Sequence, residues 1–156
     1  MIKNLIEVER LNEQDEKAVI DFIDKSLKKE FPETYHHLDA DDLNDLRNAY
    51  NGERDIFLVA KKEDNIVGTI AIKEENSEVA LLRRLFVAQE YRSKGFGSAL
   101  IKKAIDFCKD QNYSMISFRG NNQMDKAIRA IEKNGFIRKD LVDFGGFHIY
   151  IYVKLL

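Results

Sequence analysis

The sequence predicts an α/β fold, with a mixed, mostly antiparallel central sheet and flanking helices. Three observations carry this. Apolar residues recur at helical spacing in the first third of the chain, then give way near Asp55 to short β-branched runs. Two of those runs are separated only by Lys62-Glu63-Asp64-Asn65, which is a hairpin signal. Further on, an apolar run, an amphipathic stretch and a second β run follow one another, which sets a β-α-β crossover in the middle of the chain.

Ile2 to Arg10 reads as the first strand, since Ile2, Ile6 and Val8 share one parity and turn-like Asn12 follows. Val19, Phe22, Ile23 and Leu27 predict a helix over residues 13–29 with one buried stripe. Pro32 ends it, because the proline ring pushes Phe31 out of the helical region. A shorter helix follows, with Asp39 or Asp41 as its cap and Leu43, Leu46 and Tyr50 on its apolar side. The hairpin strands are Asp55–Lys61 and Ile66–Lys73. Val79–Val87 is interrupted only by Arg83 and Arg84, as expected for a strand buried on much of both faces. From Gly97, the residues Leu100, Ile101, Ala104, Ile105 and Cys108 mark a helix ending near Asn112. Met115, Ile116 and Phe118 form a strand. Met124, Ala127, Ile128 and Ile131 mark the last helix, closed by a left-handed Gly135. Strands at Phe136–Arg138 and Phe147–Leu155, split by Gly145-Gly146, complete the order β-α-α-β-β-β-α-β-α-β-β.

A chain of 156 residues suits one domain, 1–156, because a single core typically serves about 100–200 residues. No repeat, low-complexity tract or linker divides it. Lys and Arg number 25 against 27 Asp and Glu, a net charge of −2, so a nucleic-acid partner is not expected. One cysteine can neither staple the fold nor build a thiolate metal site, and three histidines leave little for zinc; no metal is expected. No apolar run approaches the roughly 18–20 residues needed to span a bilayer. Met1 to Arg10 mixes charges into its apolar residues, unlike a signal peptide. These features predict a soluble, cytoplasmic protein with no membrane partner.

The chemistry concentrates in Leu85-Phe86-Val87-Ala88-Gln89-Glu90-Tyr91-Arg92-Ser93-Lys94-Gly95-Phe96-Gly97. A buried strand, a short basic loop and two glycines lead straight into an amphipathic helix. Glycines allow close backbone approach, the first-turn N–H groups lack helical partners, and the helix dipole favours an anion. Arg92 and Lys94 add positive charge. A pyrophosphate is the natural guest. A dinucleotide fingerprint fails because its third small residue falls on Leu100, and a Walker loop fails because Gly97-Ser98-Ala99 lacks the lysine. Taken alone, Gly-x-Gly is better explained as a tight turn, so its surroundings decide.

Arg92-x-x-Gly95-x-Gly97, preceded by Leu85-Phe86-Val87 and followed by an amphipathic helix, resembles the acetyl-CoA loop of the GNAT N-acetyltransferase superfamily. The resemblance extends over most of the chain: residues 55–73 look like the family's second and third strands, 79–87 its fourth, and Ala127 to Phe136 its later helix running into Gly-Phe. It implies the GNAT fold and direct acetyl transfer from acetyl-CoA to the amine of a small molecule, amino acid or peptide. It assigns pyrophosphate binding to Arg92, Ser93, Lys94, Gly95, Phe96 and Gly97, and pantetheine contact to Phe86 and Val87, where the fourth and fifth strands splay apart. Association as a homodimer stays open.

The chain departs from the family pattern at the catalytic positions. The Tyr that many members carry four residues before Gly-Phe is Ile131, and the Asn often found seven residues earlier is Met124. Asn121 and Asn122, just upstream, read as a helix cap. The fourth strand lacks an acidic base, reading Ala80-Leu81-Leu82, and Glu78 reads as a solvated hairpin residue. No catalytic residue is assigned. Tyr150 and Tyr152, two apart on one strand face, are substitute acids or a stacked pair. A catalytically weak acyl-CoA-binding sensor or regulatory module is therefore the alternative.

Cys108 lies on a buried stripe and reads as core. His36-His37, with Tyr35, are loop polar groups where the family builds an acceptor wall, and nothing singles out His148. Glu30 to Asp55 holds eight acidic residues against two basic ones, which reads either as attraction for a cationic amine or as capping and solubility. Arg83 and Arg84, adjacent in a strand, are expected to point to opposite faces. One of them is expected to reach the functional side or pair with a carboxylate, which leaves an acceptor bearing a carboxylate open.

Overall fold

The computed structural model describes residues 6–31 and 40–156. Among them the chain runs β1 (Glu7–Arg10), α1 (Glu16–Glu30), a 3-10 turn (Asp41–Asn44), α2 (Leu46–Ala49), β2 (Ile56–Lys62), β3 (Asn65–Glu74) and β4 (Val79–Val87). It continues as α3 (Phe96–Asp110), β5 (Met115–Asn121), α4 (Asp125–Lys133), β6 (Ile137–Phe144) and β7 (Phe147–Leu155). The order is the expected one. The strands form a single sheet, β1-β2-β3-β4-β5-β7-β6, in which β4 and β5 are parallel and every other neighbour pair is antiparallel.

Helices cover both faces. The α3 stripe of Leu100, Ile101, Ala104 and Cys108 and the α4 residues Ile128 and Ile131 pack on Leu58, Ile70, Ile72 and Ile116. Leu100 and Ile101 are fully buried, and each such side chain contributes roughly 1.5–3 kcal/mol. On the opposite face Val19, Ile23 and Leu27 of α1, with Leu46 and Tyr50, cover Phe57, Val59, Ala71 and Phe86. The predicted apolar stripes of both long helices are thus the buried ones.

Several boundaries differ from the sequence reading. The described part of the first strand is Glu7–Arg10, and the expectations resting on residues 1–5, Pro32, Tyr35, His36, His37 and Asp39 lie outside the described residues. The second helix splits into a 3-10 turn and the single turn α2, and no side chain caps either. Asp41 falls inside the turn rather than at its cap. Asn121 does not cap α4; its Oδ1 instead accepts the Gln123 N–H at 2.8 Å in the approach turn. The strand expected at Phe136–Arg138 continues to Phe144, because the polar pair Lys139-Asp140 that breaks its pattern sits at a register shift.

The register shift that matters most is in β4. Thr69 of β3 faces Phe86, but Ala71 faces Arg83, so β4 carries one extra residue there. Arg84 lies in this bulge with φ 54°. The bulge interrupts simple alternation: the Arg84 guanidinium reaches Asp42 on the α1–α2 side, and the Arg83 charge also acts to lower the pKa of that carboxyl. The pairing of β4 with β5 covers only Val79–Leu81 against Met115–Ser117. Beyond it β4 pairs with β3 alone and β5 with β7, so the two strands part company.

Candidate active site

A cleft of about 860 Å³ opens beside the end of β4, beyond its pairing with β5. Its floor is Leu85, Phe86 and Val87, one wall is the loop and first turn of α3, and the other is Met124 to Lys133 of α4. Lys29, Glu30 and Phe31, at the end of α1, close one side. Of the residues assigned from sequence, Phe86, Val87, Arg92, Ser93, Gly95 and Gly97 all line this cleft. The other two do not. Phe96 is 5% exposed, stacked on Tyr91 with ring centroids 5.8 Å apart. Lys94 is exposed, its Nζ 5.8 Å from the centre of the Tyr91 ring.

The loop is shaped for close approach. After a 3-10 turn at Gln89–Tyr91, Ser93 (φ 62°) and Gly95 (φ 86°) both turn left-handed and deliver the chain into α3. Gly95 stands at the cap position, where a side chain would be strained, and no side chain caps the helix start. The first-turn N–H groups therefore have no partner within the helix. A Cβ on Gly97 would lie 3.6 Å from Val87 Cγ2 and 3.9 Å from Ala130 Cβ, filling the space between the floor and α4. Together these features make a cradle for an anion.

Arg92 is committed more firmly than its sequence position suggests. Its Nε donates to the Val87 carbonyl at 3.0 Å, and its guanidinium pairs with Glu30. It braces the loop against both the strand end and α1. Cationic side chains on the facing wall escaped the sequence reading: Lys126, Arg129 and Lys133 line the cleft from exposed positions of α4. The signal was present, since their spacing of three and four places them together, away from buried Ile128 and Ile131.

The catalytic departures have structural counterparts. Ile131 is fully buried in the core, and Met124 packs between the two cores while lining the cleft. Neither Tyr150 nor Tyr152 lines the cleft. Tyr152 donates to Glu132 Oε2 at 3.2 Å; burial first, then this carboxylate, raises its pKa. Tyr150 stacks with His148 at 6.4 Å. Glu78 sits at the start of β4, with its carbonyl accepting the Ser114 N–H at 2.8 Å. Cys108 is fully buried, and burial pushes its thiol up to about 12.

Three carboxylates of the acidic arm are paired with cations. Glu30 pairs with Arg92, Asp42 with Arg84, and Asp55 with Lys73 at 3.0 Å. Among the described residues no group of three or more His, Cys, Asp or Glu comes together, and no helix is long and apolar enough to cross a membrane.

The fold is thus an α/β sheet whose parallel strands β4 and β5 part beside a glycine-lined cradle. Residues 20–136 match the model of the acetyltransferase (GNAT) family, and the chain belongs to that family. A probable N-acetyltransferase, camello, of Xenopus laevis is 30% identical over 118 residues, covering 73% of this chain and 53% of that protein. The chain spans about half the length of the curated relatives it matches. A GNAT-family acetyltransferase from Staphylococcus aureus Mu50 superposes with a TM-score of 0.78 at 26% identity, covering 95% of this chain and 99% of that one. The PaiA N-acetyltransferase from Thermoplasma acidophilum, solved in complex with coenzyme A, shares the fold with a TM-score of 0.75 at 23% identity, covering 97% and 99%.

Proposed function

We propose that this chain is an acetyltransferase that moves the acetyl group of acetyl-CoA directly to a primary amine of a small molecule or peptide. The observation that carries the reading is the junction of two features in one cleft. An uncapped helix start and left-handed loop stand beside a β4 end released from β5. The amides of Ser93 to Gly97 would hold the pyrophosphate, and the Phe86–Val87 main chain would run beside the pantetheine arm. Lys126, Arg129 and Lys133 would face the cofactor's remaining phosphate.

Acetyl-CoA supplies an acetyl group activated as a thioester. In the transfer a nitrogen–carbon bond forms, the carbon–sulfur bond breaks, and the amine proton goes to solvent or a base. An amine with a pKa of about 10 must be deprotonated first, whereas a thiolate with a thiol pKa of about 8.5 leaves without strong acid assistance. Loss of a general acid typically costs 10²–10⁴-fold, so Ile131 at the family's Tyr position slows the reaction rather than excluding it.

The same buried Ile131 favours a second reading, an acyl-CoA-binding module with little turnover. A thiol-release assay with acetyl-CoA and a panel of amines separates the two. Acceptor-dependent release supports the enzyme, and saturable coenzyme A binding without release supports the module. Tighter binding of NAD or ATP than of coenzyme A would overturn both.

A further inference from the structure

Arg84 occupies the left-handed region in the middle of a strand, a conformation that non-glycine residues hold only when their surroundings impose it. Among the described residues, Arg84 is held at both its main chain and its side chain. Its carbonyl accepts the Thr69 hydroxyl at 2.8 Å from fully buried Thr69. Its guanidinium is chelated by Asp42, Nε to Oδ2 at 2.9 Å and Nη2 to Oδ1 at 2.5 Å, with side-chain exposures of only 9% and 5%. Tyr50 donates to the same carboxylate at 2.7 Å. Asp42 therefore reaches from the 3-10 turn before α2 to the one residue that sets the bulge. Downstream of that bulge lie Leu85, Phe86 and Val87, the floor of the cleft.

We propose that Asp42 is a positioning residue for the cleft: by clasping Arg84 it holds the β4 bulge open and fixes the strand end at Leu85–Val87. The inference rests on the reading of this cleft as a coenzyme A site, and it adds a link from the α1–α2 arm to that site. A salt bridge that only contributed stability would be replaceable by any substitution that leaves the protein folded. A clasp that holds a left-handed residue is replaceable by glycine, which adopts that conformation freely, and not by valine, which resists it.

The test compares the full-length wild type with Asp42→Asn, Asp42→Asn/Arg84→Gly and Asp42→Asn/Arg84→Val, titrating each with coenzyme A. Neither double variant leaves an unpaired buried charge, so the comparison stands even where Asp42→Asn alone does not fold. Affinity should fall at least tenfold in Asp42→Asn and in the valine variant. It should return to within about threefold of wild type in the glycine variant. Wild-type affinity in folded Asp42→Asn, or equal weakness of the two double variants, overturns the proposal. Amide hydrogen exchange at Leu85–Val87 gives a ligand-free readout: protection lost in the valine variant and kept in the glycine variant supports the clasp, and equal protection overturns it. If wild type fails to bind coenzyme A, the functional reading falls, while the exchange pattern still decides the clasp.

Discussion

Glu30, the last residue of α1, is ion-paired with Arg92, whose Nε donates at the same time to the Val87 carbonyl at 3.0 Å. A carboxylate thus holds the guanidinium that stands beside the anion cradle. Burial lowers the pKa of Arg92 from its ordinary value, yet a guanidinium stays charged throughout. Glu30→Gln removes the competitor and should tighten coenzyme A binding about threefold at low salt, since a partly exposed pair is worth about 1 kcal/mol or less. Arg92→Ala, which also removes the brace on Val87, should weaken it. Calorimetric titration at two salt concentrations measures both. Unchanged affinity in Glu30→Gln would place the anion away from Arg92.

The two glycines of the loop should fail in different ways. A side chain at Gly97 meets ordinary contacts but projects between Val87 and Ala130. Gly97→Val should keep the melting temperature within a few degrees and abolish coenzyme A binding. Gly95→Ala has open space around its new Cβ but must hold φ 86°, which costs on the order of 1–2 kcal/mol. Thermal unfolding should separate the strain effect at Gly95 from the blocking effect at Gly97. Ser93→Ala should matter little to binding.

The cationic row on α4 gives a prediction about ligand choice. Coenzyme A carries a ribose phosphate that dephospho-coenzyme A lacks. Lys126→Gln, Arg129→Gln and Lys133→Gln, combined, should erase most of the preference for coenzyme A while leaving dephospho-coenzyme A binding within about twofold. An exposed charge contact is typically worth about 0.2–1 kcal/mol, so the triple variant should lose roughly tenfold. Equal affinity of the wild type for both ligands would remove the row from the site.

Asp42 should make stability depend on acid. Burial alone would raise its pKa, but hydrogen bonds from Arg84 and Tyr50, with the Arg84 and Arg83 charges, outweigh burial and hold it below its ordinary value. A depressed carboxyl contributes stability that is complete above its unfolded pKa of about 3.9 and is lost as pH falls through the lower folded value. Asp42→Asn should cost roughly 3–5 kcal/mol at neutral pH, because it leaves buried Arg84 uncompensated. Urea unfolding at neutral pH and below pH 4 should show the gap between variant and wild type closing with acid. A gap independent of pH would mean that the carboxylate charge is not what holds Arg84.

Much of the fold is legible in the sequence. The stripes Val19-Ile23-Leu27 and Leu100-Ile101-Ala104-Cys108 announce their helices, and both are buried as their spacing requires. The loop was legible too, because close backbone approach needs glycine and an uncapped helix start is a local property of the chain. Phe96 shows the limit: adjacency to two cleft-lining glycines says nothing about a side chain that turns inward against Tyr91. The β4 bulge was equally hidden, since Arg83-Arg84 reads as ordinary alternation.

The net charge of −2 averages a loop carrying Arg92 and Lys94 with the acidic stretch from Glu30 to Asp55. By itself, the sequence determined the element order, the buried faces and the position of the glycine loop, because each follows from spacing along a few neighbouring residues. Only the tertiary structure decided where the charges go. Glu30 and Asp42 meet Arg92 and Arg84 across long stretches of chain, and such pairing depends on how the arm lies on the sheet rather than on any local pattern. At these pairs one charge holds the other in place.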